Sequence, residues 1–359
     1  MRQTQDPGFA ASLLHVRGVI EGAVLADVSL SVSRGEIVTL LGAGGPQAVL
    51  SLLAGFGRAD SGEVAIGGAV LNRTPPHRRR LGMVSRPLAL FPHLDVAGHA
   101  GFAQGVSPAR VGQVLRRLGL SAFAGRMPRS LSAELQWRTA LARALGPGAE
   151  LLLIDDALAG VPAPQRPGAK ALLRALCAEE GLAILHATDD AGIALGLSDR
   201  IGVMQSGRLL QIDTVRALYE QPGSLAVAGA LGAVNRLAGT KIDQEDDIAQ
   251  IRLAGHVTVS ARCMDVIVDG EACVVTIRPE RIAVASGSAS DMGDGAISAR
   301  LLETLFEGEH TRMRLALGTE PGAPEVVVHR PSGMLVPRDG VMSLAWQAHH
   351  ALAYRPEAA

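Results

Sequence analysis

The chain has 359 residues, long enough for two domains, and its 48% hydrophobic and 19% charged content is that of a folded globular protein rather than a disordered one. A formal net charge of −1 gives no global attraction to nucleic acid or to an acidic membrane surface. No apolar run approaches the ~20 residues of a spanning helix, and the opening segment MRQTQDPGFA lacks the apolar core of a signal peptide. The three cysteines, Cys177, Cys263 and Cys273, are far apart and show no metal-type spacing, so free thiols in a reducing compartment are expected.

In chain order, strands are expected over Val24–Val32 and Glu36–Leu41, then a helix over Gln47–Leu53 and a strand over Leu81–Val84. The basic run His77-Arg78-Arg79-Arg80 reads as a solvated loop or strand edge. Helical patterns dominate from about 86 to 145, with Val111–Leu118 and Ala133–Ala144 the clearest. Strands at Leu151–Asp155, Ala183–Ala187 and Ile201–Met204 alternate with helices at Ala169–Glu179 and Asp190–Gly196. This alternation predicts an α/β layer with a parallel sheet, into which 86–145 is a helical insertion. The texture changes near residue 233. Short β-rich runs follow, at Ile251–Ala254, Val257–Val259, Asp265–Val268, Ala272–Ile277, Ala296–Leu305, Met313–Leu317, Glu325–Val328 and Val341–Ala345. They predict a second, all-β and barrel-like domain over 233–359, after a first domain over 1–232.

The most telling segment is EIVTLLG, residues 36–42, followed by Ala43-Gly44-Gly45-Pro46-Gln47-Ala48 and an apolar helical stretch. Strand, glycine-rich turn and helix is the setting of a phosphate-binding loop, in which backbone N–H groups, a lysine and a Ser/Thr hydroxyl hold phosphates and Mg²⁺. Here Gly42, Gly44 and Gly45 are present, but neither lysine nor hydroxyl follows, and the only lysines are Lys170 and Lys241.

Several segments, in order, resemble the ATP-binding subunits of ABC transporters, in the importer class with a C-terminal TOBE-like β-domain. They are Leu25–Leu30 with Arg34–Ile37, Ser61–Glu63, Leu81–Val84 with Ala89–Leu94, Leu131-Ser132 with Ala140–Leu145, Leu151–Asp156, and Leu197–Met204 with Ser206–Arg208. Thr276–Ile282 resembles the Arg-Pro-Glu segment that opens the family's regulatory β-domain, and the runs at 302–317 and 341–346 resemble that domain in polyamine (spermidine/putrescine) importers, with ferric iron, phosphonates and opines as the other solute classes open. The resemblance implies a P-loop ATPase fold, ATP and Mg²⁺ as cofactors, and transmembrane permease subunits as partners. It also implies a homo- or heterodimer with a second nucleotide-binding subunit, an indirect link to a solute-binding protein, no nucleic acid, and a peripheral position on the cytoplasmic face of the inner membrane.

Residue by residue, the resemblance places Gly42 to Ala48 at the phosphate loop, about two residues short, with Pro46 removing an N–H donor. Val19 falls at the adenine-stacking position and offers no π-face. Arg86 stands where the family has the Q-loop glutamine, and arginine can neither accept a hydrogen bond nor bind metal. Ser132 matches the signature serine and suits a helix N-cap, and Glu134 replaces a glycine after it. Asp155 matches the Mg²⁺-linked aspartate, Asp156 the catalytic glutamate with one methylene fewer, and Asp189 the switch histidine. The resemblance therefore implies an ATP-binding importer subunit with impaired ATPase chemistry. The alternative is a silent scaffold or regulator of a transporter energised by another subunit.

Overall fold

Alternating apolar residues at the start of the chain fold into a hairpin of β1 (Leu14–Glu21) and β2 (Leu25–Val32), which buries Leu14, Val16, Val19, Leu25, Val28 and Leu30. The computed structural model describes residues 12–286, 296–318, 320, 322–332 and 341–356. After β3 (Ile37–Leu41) and α1 (Gly45–Ala54) come β4 (Ser61–Ile66) and β5 (Ala69–Val70), and the first sheet runs β2-β1-β4-β5. β1 is absent from the sequence expectation for a physical reason. Its period is broken at Gly18, which has φ +58°, between register shifts that pair Val16 with Leu30 but Val19 with Val28.

The central sheet uses β6 (Leu81–Ser85), β7 (Leu151–Asp155), β8 (Ala183–Thr188), β9 (Arg200–Gln205) and β10 (Arg208–Thr214), in the order β10-β9-β3-β8-β7-β6. All neighbours are parallel except the β9–β10 hairpin. Parallel strands are covered on both faces, which explains their unbroken apolar runs. β7 shows the consequence: Leu151 and Leu153 join one core with Val49 and Leu53 of α1, whereas Leu152 and Ile154 join the opposite one. That second core takes Leu141 of α4 (Ala133–Leu145), Leu173 of α5 (Arg166–Glu180) and Ile193 of α6 (Ala191–Leu197). Between β6 and β7 lie α2 (Val96–Ala100), α3 (Pro108–Arg117) and α4, each N-capped by a side chain: Asp95, Ser107 and Ser132.

Arg79 departs from the expectation of a solvated basic run. It is buried, and its guanidinium donates to the carbonyls of Leu52, Leu53, Leu71 and Thr74 at 2.6–3.1 Å. The first two belong to the last turn of α1, where Leu52 O also accepts the Gly55 N–H at 3.0 Å, and a cation is favoured at a helix C-terminus.

The chain divides into two compact units between Leu218 and Tyr219, within α7 (Val215–Glu220). The second unit carries α8 (Leu225–Ala230) and the strands β11 (Asn235–Glu245), β12 (Ile248–Leu253), β13 (Thr258–Cys263) and β14 (Ala272–Ile277). These are followed by β15 (Ala283–Ser286), β16 (Ile297–Phe306), β17 (His310–Leu317), β18 (Glu325–Pro331), β19 (Val341–Ala345) and β20 (Ala351–Tyr354). A closed barrel, β11-β12-β13-β20-β14, is joined by a sheet in the order β15-β19-β16-β17-β18. The expected strand at Asp265–Val268 is irregular backbone instead. It is tied down by the buried Lys241, which donates to the Ile267 carbonyl at 2.7 Å.

Candidate functional site at the carboxyl ends of the parallel strands

In an open parallel sheet, ligands sit outside the carboxyl ends of the strands. Here four such ends are laced together by backbone hydrogen bonds at the residues that leave the sheet. Gly42 N–H donates to Thr188 O at 3.1 Å, Asp156 N–H to Ala187 O at 2.9 Å, and Arg86 N–H to Asp155 O at 3.0 Å. The ladder brings Gly42, Arg86, Asp155 and Asp156 to one edge, with Asp189 exposed just beyond β8.

The glycine loop has a mixed character. Gly42 has φ +146°, and a Cβ there would lie 2.3 Å from the Met204 carbonyl, so close packing on β9 alone requires glycine. Gly44 caps α1 at φ +76° and faces open space. Gly45 N–H is consumed by Ala43 O at 2.9 Å, Pro46 has no N–H, and Ala48 N–H is bound to Gly44 O. The N–H groups of Ala43, Gly44 and Gln47 have no described acceptor. The Gln47 Oε1 is also buried without a described partner. No cationic side chain belongs to the loop.

At the ends of β7 and β8, negative charge gathers. Asp156 is a non-glycine residue held at φ +46°, with Oδ1 accepting from Thr188 Oγ1 at 3.2 Å and Oδ2 lying 3.4 Å from the Arg86 guanidinium. The carboxylate of Asp155 has no hydrogen bond or ion pair among the described residues. Burial, and secondarily the Asp156 charge, pushes its pKa above the ordinary carboxylate value. Asp190 caps α6 through Ile193 N–H at 2.9 Å and lies 3.7 Å from Arg166. Four carboxylates, at 155, 156, 189 and 190, thus follow β7 and β8, and two of them, Asp156 and Asp190, lie beside arginines. Thr188 and Arg166 were not singled out from the sequence. A threonine at the last position of a strand, immediately before paired aspartates, was the available signal for the first.

Two expected positions stand apart. Ser132 Oγ accepts from Leu135 N–H at 3.3 Å and so is occupied in capping α4, while Glu134 turns back along that helix to Arg138, with Nε at 3.0 Å. Val19 is fully buried in β1 and presents no face to a ligand.

The architecture is that of a P-loop ATPase of the ABC type. The solved structure of CbiO1 from Clostridium perfringens, part of the ABC transporter complex CbiONQ, matches it with a TM-score of 0.54 at 22% identity. The match covers 58% of this chain and 91% of that one. Family models agree on both units: the ABC transporter model matches residues 25–159 and the TOBE domain model residues 275–353. The spermidine/putrescine import ATP-binding protein PotA of Rubrobacter xylanophilus is 35% identical over 91% of this chain and 88% of its own length. The protein of that name from Pseudomonas aeruginosa (strain UCBPP-PA14) is 36% identical, covering 83% of this chain and 86% of its own. The chain belongs to the ATP-binding proteins of ABC transporters, in the importer class that carries a TOBE domain. Among the described residues no helix is long and apolar enough to cross a membrane.

Proposed function

We propose that this chain is the nucleotide-binding-domain subunit of an ABC importer for a small solute of the polyamine class, with its own ATPase chemistry impaired. The solute class rests on relatives named spermidine/putrescine import ATP-binding proteins. Membership of the family supports permease subunits as membrane partners, with a solute-binding protein acting through them. It also supports pairing with a second nucleotide-binding subunit, identical or different, and a peripheral place on the cytoplasmic face of the inner membrane. The segment 88–96 is our candidate docking surface. It is braced from behind: Arg143 donates to Leu88 O at 2.9 Å, and His99 Nε2 accepts from Phe91 N–H at 2.9 Å.

One observation carries the impaired chemistry: the residues around Gly42–Ala48 do not fit a magnesium-bound triphosphate. The loop offers three N–H donors but no cation, one donor is replaced by Pro46 and another is turned onto Ala43 O. A lost charge-assisted hydrogen bond costs ~1.5–3 kcal/mol. The carboxylates of Asp155, Asp156 and Asp189 add repulsion toward any phosphate at the strand ends. The alternative is a silent subunit that serves as a scaffold or regulator of a transporter energised elsewhere. The three free N–H groups favour a second reading, in which the loop still holds an anion and Asp155 holds Mg²⁺.

Calorimetric titration with MgATP, with Asp155→Ala as control, separates the two. Absence of binding heat at millimolar nucleotide, together with a stable complex with permease subunits indifferent to ATP, is the expected result. Binding that disappears in Asp155→Ala would overturn the impaired reading.

A further inference from the structure

A cluster of metal-type ligands lies in the second unit, on the sheet β15-β19-β16-β17-β18, and owes nothing to nucleotide chemistry. His310 opens β17 and His329 lies on β18. The register pairs His310 with Pro331 and Arg312 with His329, so the two histidines are diagonal neighbours on one face of the sheet. Their rings lie against one another at a tilt of 39°, with centroids 4.1 Å apart. Glu307, in the β16–β17 turn, brings Oε2 to 3.0 Å from His310 Nε2. Candidate ligand atoms of Glu307, His310 and His329 all lie within 4.8 Å of one another.

Two features argue against a packing pair alone. First, His310 Nε2 is shielded from solvent and makes no aligned hydrogen bond among the described residues, despite the nearby carboxylate; buried polar atoms ordinarily find a partner. Second, the turn holding Glu307 is pre-formed. Glu307 N–H donates to His310 O at 2.9 Å, and Ser332 N–H donates to Glu309 O at 3.2 Å.

We propose that Glu307, His310 and His329 form a three-ligand site for a divalent transition metal of the zinc class, with a fourth position open to water or to a partner's side chain. Two imidazoles and one carboxylate suit Zn²⁺, Co²⁺ or Ni²⁺, whereas Ca²⁺ and Mg²⁺ demand more oxygen ligands than the cluster holds. Zinc bonds of ~2.0–2.2 Å place tetrahedral ligand atoms roughly 3.3–3.5 Å apart, so closure requires ring-tip movements of about 1–1.5 Å.

The test is titration of the chelator-stripped full-length chain with Zn²⁺ against a chromophoric chelator, and with Co²⁺ followed by its visible d–d bands. About one equivalent is expected to bind and to survive millimolar Mg²⁺. His329→Ala and Glu307→Gln are expected to weaken binding by more than about tenfold. His349→Ala, in an edge-to-face histidine pair with centroids 4.3 Å apart, is expected to leave it unchanged. Should His329→Ala fail to fold, Glu307→Gln and His310→Gln change only atoms at the half-exposed turn and serve in its place. Failure of the wild type to bind, displacement by Mg²⁺, or binding unaltered in Glu307→Gln and both histidine variants would overturn the proposal.

Discussion

Replacing Arg79 by methionine tests whether the frame behind the glycine loop is held as the structure implies. The guanidinium makes four donor contacts to carbonyls: Leu53 O at 2.6 Å, Leu52 O at 2.7 Å, Thr74 O at 2.9 Å and Leu71 O at 3.1 Å. Methionine keeps most of the apolar stem and leaves the carbonyls of Leu53 and Thr74 without a described donor, while Leu52 O keeps the Gly55 N–H at 3.0 Å and Leu71 O the Thr74 N–H at 2.9 Å. Each charge-assisted bond is worth ~1.5–3 kcal/mol in isolation. The sum overshoots, because burial of the cation is itself costly, as its lowered pKa indicates. A net loss of ~3–5 kcal/mol is expected, a large share of the ~5–15 kcal/mol that holds a typical domain. Arg79→Lys keeps the charge but not the fork, and should lose about half as much. The chain has two tryptophans, Trp137 in the first unit and Trp346 in the second. Urea unfolding followed by Trp137 fluorescence in a Trp346→Phe background therefore reports the first unit alone. A loss below ~1 kcal/mol in Arg79→Met would refute the reasoning and mean that water satisfies those carbonyls as well as arginine does.

Three further outcomes follow from buried or crowded ionisable groups. His186 is completely buried with its pKa pushed down to about 3, mainly by desolvation, so the folded state refuses a proton that the unfolded chain takes up near pH 6.5. Relative to His186→Asn, the first unit should therefore lose about a factor of ten in folding constant per pH unit as pH falls below ~6.5, and equal slopes would contradict this. Burial raises Cys177 to about 12 and Cys273 to about 11, with Cys177 and Cys273 both buried, so a thiol reagent at pH 8 should label half-buried Cys263 alone until urea exposes all three. Asp155→Asn should raise the urea midpoint of the first unit at pH 7, because the folded state lifts the Asp155 pKa and so penalises its charge. The gain should vanish below about pH 4, where both states are protonated, and a lowered midpoint at pH 7 would show that the carboxylate has a partner in solution.

The parallel sheet was legible because fully buried strands are short apolar blocks: residues 37–41, 151–155 and 183–187 each lie almost wholly in the core. The residues of the strand-end cluster were named by the family resemblance, and parallel strands deliver the residues that follow them to one edge. What escaped was whatever depends on partners distant in sequence. Arg79 sits in a basic run that looks solvated, and only the approach of the α1 carbonyls makes it a buried hub. The edge strand β10 alternates weakly, with its residues half-buried or exposed, and so has little apolar period to read. The neighbourhood of His310 and His329 depends on the β17–β18 register, which no local pattern encodes.

The motif positions sort by whether they have a task in the fold. Gly42 is demanded by the Met204 carbonyl, Ser132 caps α4, and Asp190 caps α6. Asp199 Oδ2 accepts Ile37 N–H at 2.8 Å and locks β3 to the turn before β9. Each of these would be kept for stability even if no nucleotide were bound. Arg86, Asp156, Asp189 and the Pro46-Gln47-Ala48 run occupy positions that face a ligand in the family, and these are the positions that differ from its pattern. Asp155 is the exception. It matches the pattern, yet among the described residues its carboxylate binds nothing, and burial beside Asp156 makes its charge unfavourable. A partly buried carboxylate with a raised pKa and no described protein partner is the position at which a bound cation would relieve the cost of its charge. For this reason the calorimetric control rests on Asp155. If Asp155→Asn stabilises the chain and no MgATP binds, the site is a frame without its chemistry. If the substitution stabilises the chain but abolishes binding, the cost of that carboxylate is the trace of a surviving metal contact.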